Sequence, residues 1–138
     1  MIGVWTLLTV LLAGTVIGLV RLRRDGRMRP VVASGTEGTL AETLGEPLGE
    51  RATLVQFSTA FCQPCRATRR ILGEVAEMVP GVRHVEVDAE ARLDLVRQLD
   101  VMRTPTVFVL DRSGNIVKRA SGLPRKADVI AALGIAIE

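Results

Sequence analysis

The chain has 138 residues, with 18 Lys and Arg against 15 Asp and Glu, a length that bounds it to one compact domain. Five of the arginines (21, 23, 24, 27 and 29) and one acid, Asp25, fall within residues 21–30, which leaves 13 basic and 14 acidic residues in 31–138 and a net charge of −1 there. A domain so nearly neutral has no electrostatic footprint for nucleic acid, and its two cysteines exclude a disulfide-stapled scaffold.

Residues 1–20 predict a transmembrane anchor. Ile2 to Val20 contains no charged residue, and as a helix it reaches about 28 Å, close to the hydrocarbon thickness of a bilayer. A cleaved export signal and a buried core helix are the alternatives. The first calls for basic residues before the apolar run and a small-residue cleavage site after it. Here the run ends instead in Arg21-Leu22-Arg23-Arg24. A basic cluster directly after a single span stays on the cytoplasmic side, so the domain is expected in the cytoplasm. The runner-up places it outside the cell, where disulfide chemistry is in demand. Residues 21–38 read as a basic juxtamembrane segment and linker, broken by Gly26, Pro30, Gly35 and Gly38. Its arginines are within reach of anionic headgroups.

Residues 39–138 carry the domain. Thr39 to Leu44 is either a short edge strand or one helical turn, with Leu40 and Leu44 docking on the core. Thr53 to Ser58 is the first firm strand. A helix over about 66–79 follows, with Ile71, Leu72, Val75, Ala76 and Val79 on one stripe. Val82 to Val87 predicts a second strand. Asp88 to Asp100 predicts a helix with Asp88 as N-cap and Ala91, Leu95, Val96 and Leu99 inward. Pro105 to Leu110 predicts a third strand, and the turn Asp111-Arg112-Ser113-Gly114-Asn115 sends Ile116 to Ala120 back as an antiparallel edge. A last helix over about 125–133 faces the sheet through Val129, Ile130 and Leu133. The alternation predicts a three-layer α/β domain with a central mixed sheet.

The chemistry-bearing stretch is Phe61-Cys62-Gln63-Pro64-Cys65, at the end of the first strand and the start of the first helix. Free backbone N–H groups and the helix dipole at that point favour a thiolate on Cys62. Pro64 suits a first turn, where its missing N–H costs nothing. Thiol–disulfide exchange needs an attacking thiolate and a second thiol that resolves the mixed disulfide; the spacing supplies Cys62 as nucleophile and Cys65 as resolver. Zinc would need further ligands, which His84 alone cannot provide, and a structural disulfide closing so small a loop contributes little. His84 itself reads as a partly exposed strand residue rather than a catalyst. Arg66 is the nearest basic side chain in sequence, its direction unknown. Thr104-Pro105 opens the third strand with a peptide that is either trans or cis; in the cis geometry the backbone of Thr104 could pair with an extended substrate, and its hydroxyl could bear on the sulfurs.

These pieces resemble the thioredoxin family over roughly residues 50–135. The resemblance rests on Leu54-Val55-Gln56-Phe57, Phe61-Cys62-Gln63-Pro64-Cys65, Thr104-Pro105-Thr106, Ser113-Gly114-Asn115 and Gly122. It implies a thioredoxin fold, following the one transmembrane helix read from residues 1–20, with an exposed Cys62, a buried Cys65, a redox-active disulfide between them and a cis Pro105 packed against the pair. It also implies dithiol/disulfide exchange on protein or small-molecule substrates, and a redox partner that recharges the pair. No cofactor or metal is called for, and a monomer is expected. The departures are Phe61 where the family has Trp, which keeps an apolar lid, Gln63 where it has Gly, and Gln56 where it often has a buried Asp that relays protons to the second cysteine. Gln56 cannot titrate, so slower resolution is expected. Arg70, where a kinking proline is common, predicts a straighter helix. The alternatives are a non-catalytic interaction module of the same fold, an extracytoplasmic reductase in cofactor maturation, and a peroxidase suggested by the spacing of Thr59 and Cys62.

Overall fold

The computed structural model describes residues 1–31 and 39–138. Its elements run α1 (Ile2–Arg24), β1 (Arg29–Pro30), α2 (Thr39–Leu44), β2 (Ala52–Ser58), α3 (Gln63–Met78), β3 (Val82–Asp88), α4 (Leu93–Gln98), β4 (Thr106–Asp111), β5 (Ile116–Ser121) and α5 (Lys126–Ile137). The five strands form one sheet in the order β1-β5-β4-β2-β3. β2 and β3 are parallel, whereas β4 runs antiparallel to β2 and β5 antiparallel to β4. This is the predicted mixed sheet of a thioredoxin fold.

Period-two alternation sorts β2 between two cores. Val55 and Phe57 point into a cluster with Leu40, Leu44, Val85, Val87, Leu95 and Phe108, under α2 and α4. Ala52 and Leu54 point the other way, against Leu72 and Val75 of α3 and Val129 and Leu133 of α5. Every residue of β2 is buried, as a strand covered on both faces requires. Phe57 and Phe108 meet edge to face at 5.6 Å between centroids, and the Arg119 guanidinium lies 5.2 Å from the Phe108 centroid. The Asp111 side chain closes the β4–β5 turn by accepting from the amides of Ser113 and Asn115 at 2.9 Å each. Gly114 there sits at φ +87°, a left-handed conformation open to glycine.

Several expectations change. Thr39–Leu44 is helical, and Leu40 and Leu44 dock as expected. The helix predicted over 88–100 is confined to Leu93–Gln98, and its N-cap is Arg92, which makes no side-chain capping bond. Asp88 spends its carboxylate on the Glu90 amide in a turn before the helix, leaving Ala91 exposed. In α5 the buried stripe is Val129, Ala132, Leu133 and Ala136, the spacing one helical face demands, so Ile130 faces solvent.

β5 is not the edge of the sheet. Arg29 and Pro30 pair with Arg119 and Lys118 of β5, so this part of the expected linker lies on the domain, while residues 21–24 continue α1. Gly35 and Gly38 of that linker fall outside the described residues. α1 is 23 residues long, all of them exposed. It is long and apolar enough to cross a bilayer. At its exit the Gly26 amide donates to the Ser121 carbonyl at 2.8 Å, and Asp25 pairs with Arg103.

Candidate active site

β2 ends at Ser58, and three residues later the chain reaches Phe61 and the turn into α3. Cys62 is the N-cap of α3, with extended backbone. Its sulfur accepts a hydrogen bond from the Cys65 amide at 3.2 Å, in the place where Ser or Asp oxygens cap other helices. Cys62 and Cys65 form a disulfide, with Cα atoms 5.2 Å apart. Cys62 is half-buried and Cys65 is 1% exposed. One sulfur therefore meets solvent at a helix N-terminus while the other is enclosed, the asymmetry that attack and resolution require. Pro64 occupies the first turn, and its carbonyl accepts from the Thr68 hydroxyl at 2.8 Å. Gln63 and Pro64 are exposed.

The Thr104–Pro105 peptide is cis. Thr104 stands beside the turn, its hydroxyl 3.3 Å from that of Thr59; the hydroxyl expected to bear on the sulfurs is engaged with Thr59. The Pro105 carbonyl accepts from the Gly122 amide at 2.8 Å, and Gly122 sits at φ +94°. The backbone of Thr104 enters no ladder of the sheet, which begins at Thr106.

Phe61 does not form the expected lid. It is 99% exposed and stands beside the sulfurs with its ring in water. A cleft of about 270 Å³ opens next to Cys62, bounded by Thr59, Arg66, Arg69, Glu86 and Asp88. Arg66 thus shares a cleft with the exposed sulfur, where its charge favours a thiolate. Arg69 is neutralised by two contacts to Glu86, at 2.5 and 2.6 Å.

Beneath Cys65 lies a neutral network. Gln56 is fully buried. Its amide nitrogen donates to the Cys65 carbonyl at 2.8 Å and to the Ser58 hydroxyl at 2.9 Å. With both donors spent, its oxygen, 3.1 Å from His84 Nε2, accepts from that nitrogen, which selects the Nε2–H tautomer. Burial pushes the His84 imidazole below its usual range; Glu86 opposes the shift and Arg69 adds to it. Sequence reasoning missed this role for His84. A buried Gln must satisfy four hydrogen-bonding sites, which was a signal that polar partners existed, but only the β2–β3 register, with Leu54 opposite His84, says which.

Among the described residues no cluster of His, Cys, Asp and Glu could hold a metal ion. The thioredoxin family model matches residues 32–134. The chain is 31% identical over 72 residues to thioredoxin H5 of Oryza sativa subsp. japonica, covering 52% of this chain and 53% of that one. It is 28% identical over 94 residues to a thioredoxin H-type of Picea mariana, covering 64% and 74%. The chain thus spans between about half and three quarters of these curated relatives. Among solved structures it resembles mitochondrial thioredoxin 3 from Saccharomyces cerevisiae, with a TM-score of 0.58 at 19% identity over 70% of this chain and 89% of that one. It likewise resembles the short form of thioredoxin f from spinach chloroplast, with a TM-score of 0.59 at 19% identity over 78% and 91%. At such identities the structures speak for the fold.

Proposed function

Because the chain belongs to the thioredoxin family, we propose that it is a thiol–disulfide oxidoreductase held at a membrane by α1, with Cys62 as nucleophile and Cys65 as resolving thiol. The observation that carries this reading is the asymmetric disulfide: Cys62 half-exposed at the N-cap of α3, Cys65 enclosed behind it.

In the reduced protein the Cys62 thiolate attacks one sulfur of a substrate disulfide, and the other substrate sulfur leaves as a thiolate. The Cys65 amide and the α3 dipole favour the attacking thiolate. Cys65 then loses its proton and attacks Cys62, releasing the second substrate thiolate. Two electrons have passed to the substrate, and the protein holds the Cys62–Cys65 disulfide. A reducing partner restores the dithiol by the reverse exchange. Thr104, outside the sheet ladder, offers backbone groups to an extended substrate, and Phe61 offers an apolar contact beside the attacking sulfur. Protein disulfides and small thiol compounds are the substrate classes. Buried Gln56 puts no carboxylate beneath Cys65, so deprotonation of Cys65 is the slow part of resolution.

The five arginines at and after the end of α1 support a cytoplasmic domain and, with it, a reducing role, since that compartment keeps thiols reduced. The runner-up orientation, outside the cell, makes it an extracytoplasmic reductase. The test is insulin disulfide reduction driven by dithiothreitol. The wild-type chain should accelerate it and Cys62→Ser should not, while Cys65→Ser should accumulate mixed disulfides with its partners. Equal rates for wild type and Cys62→Ser would leave a non-catalytic module of the same fold.

A further inference from the structure

The base of α1 is where the cations of a nearly neutral domain collect. A cleft of about 420 Å³ there is bounded by Arg24, Arg27, Arg29, Arg103 and Arg119, with Ser121 at its wall and no acidic side chain among the described residues that line it. The five guanidiniums come from four places, Arg119 being supplied by β5. Arg24 belongs to the last turn of α1. Arg27 and Arg29 belong to the segment that pairs with β5, and Arg29 lies directly across from Arg119 in that pairing. Arg103 precedes the cis peptide of the active-site loop. Part of their donor capacity is taken up: Arg103 pairs with Asp25 and donates to the Ser121 carbonyl at 3.1 Å, and Arg119 donates to the Leu99 carbonyl at 2.7 Å and to the Asp100 carbonyl. Among the described residues, however, no carboxylate pairs with Arg24, Arg27 or Arg29.

Like charges converging on one concavity repel unless an anion enters it. Planar guanidiniums bind phosphoryl oxygens in pairs, with geometric selectivity. The cleft opens where an apolar helix ends, which is the depth of the headgroup layer if that helix spans a bilayer. We propose that this cleft is a binding site for the phosphoryl headgroup of an anionic membrane lipid. The site joins the anchor to the domain, because it needs arginines from both. It deepens the membrane-tethered reading and rests on α1 being the span, but it does not depend on redox turnover.

The test uses the full chain in a neutral maltoside detergent. Its thermal unfolding is followed during titration with dioctanoyl phosphatidylglycerol, dioctanoyl phosphatidylcholine, or inorganic phosphate at matched ionic strength. Phosphatidylglycerol should raise the midpoint by about 5 °C near saturation, and the other two should leave it in place. Arg27→Gln with Arg29→Gln, both exposed residues, should abolish the shift. Arg97→Gln with Arg112→Gln removes the same charge away from the cleft and should preserve it. No shift with phosphatidylglycerol, an equal shift with phosphatidylcholine, or equal loss in the two double variants overturns the site. An equal shift with inorganic phosphate overturns the lipid assignment in favour of a free anion. Alkaline carbonate extraction of membranes reads the anchor separately: a chain released by carbonate refutes the span, whatever the titration shows, and insulin reduction reads the redox pair independently of both.

Discussion

Gln56 reaches diagonally across the β2–β3 pairing, from its place opposite Glu86 to His84 two residues earlier, its side-chain oxygen 3.1 Å from His84 Nε2, while the Gln56 amide holds the Cys65 carbonyl from below. The second cysteine is therefore supported by a chain of neutral groups that ends on an imidazole.

That imidazole makes stability depend on pH. Burial lowers the pKa of His84 in the folded protein, against the opposing pull of Glu86 and with the help of Arg69. Below its usual pKa of about 6.5 the unfolded chain takes up a proton that the folded chain resists. The stability contributed by neutral His84 is thus complete above that value, falls as the pH drops through it, and levels off below the depressed folded pKa. Urea midpoints measured from pH 8 down to pH 5 should decline over this window, and His84→Phe should flatten that part of the curve. An unchanged curve in the variant would assign the decline elsewhere.

Gln56 separates stability from turnover. Gln56→Leu leaves the Cys65 carbonyl and His84 without their partner, which should cost about 1–3 kcal/mol in chemical denaturation. Gln56→Asp shortens the side chain and gives up the donors to Cys65 and Ser58, so it too should be less stable. It also places a titratable carboxylate beneath Cys65, and its insulin-reduction rate should rise. A rate at or below wild type would contradict the view that proton transfer from Cys65 is slow because position 56 is neutral.

Arg66 shares the cleft beside Cys62. Removing its charge should raise the Cys62 thiol pKa in the reduced protein. Because Arg66 is solvent-exposed, the electrostatic contribution is small, about 0.2–1 kcal/mol. Iodoacetamide alkylation at pH 7 should therefore slow by about 1.4- to 5-fold in Arg66→Ala. Unchanged alkylation would show that the α3 N-terminus alone sets the reactivity.

Phe61 stabilises nothing visible in the fold. With its ring in water, Phe61→Ala should leave the unfolding midpoint within about 0.5 kcal/mol of wild type. If the ring meets protein substrates, KM for insulin should rise several-fold while the rate with a small disulfide such as oxidised dithiothreitol stays constant. Parallel losses with both substrates would place its effect on the cysteines themselves.

The elements and the site differ in how legible they were in the sequence. β2, α3 and the redox pair were legible because each is local: an apolar run, one amphipathic stripe, and a Cys-x-Pro-Cys turn at their junction. The Asp111–Asn115 turn was legible for the same reason, its side-chain chemistry being contained in five neighbouring residues. α4 was misjudged because Asp88 suits both an N-cap and a tight turn, and the turn prevailed five residues before the helix. Phe61 was misjudged because an aromatic before a cysteine says nothing about which way the ring points. The His84–Gln56 contact and the pairing of Arg29 with Arg119 are contacts between distant parts of the chain, and no periodicity announces them.

The Gly26–Ser121 and Gly122–Pro105 hydrogen bonds sit on adjacent residues of one strand end. Through them the exit of α1 is bolted to the loop that carries Thr104, with only residues 25–28 between the helix and its docking strand. If α1 spans a bilayer, such a coupling gives the sulfurs a set working height instead of the sweep of a leashed domain. A partner would then have to present its disulfide at that height, so altitude above the lipid becomes a criterion of selection alongside surface chemistry.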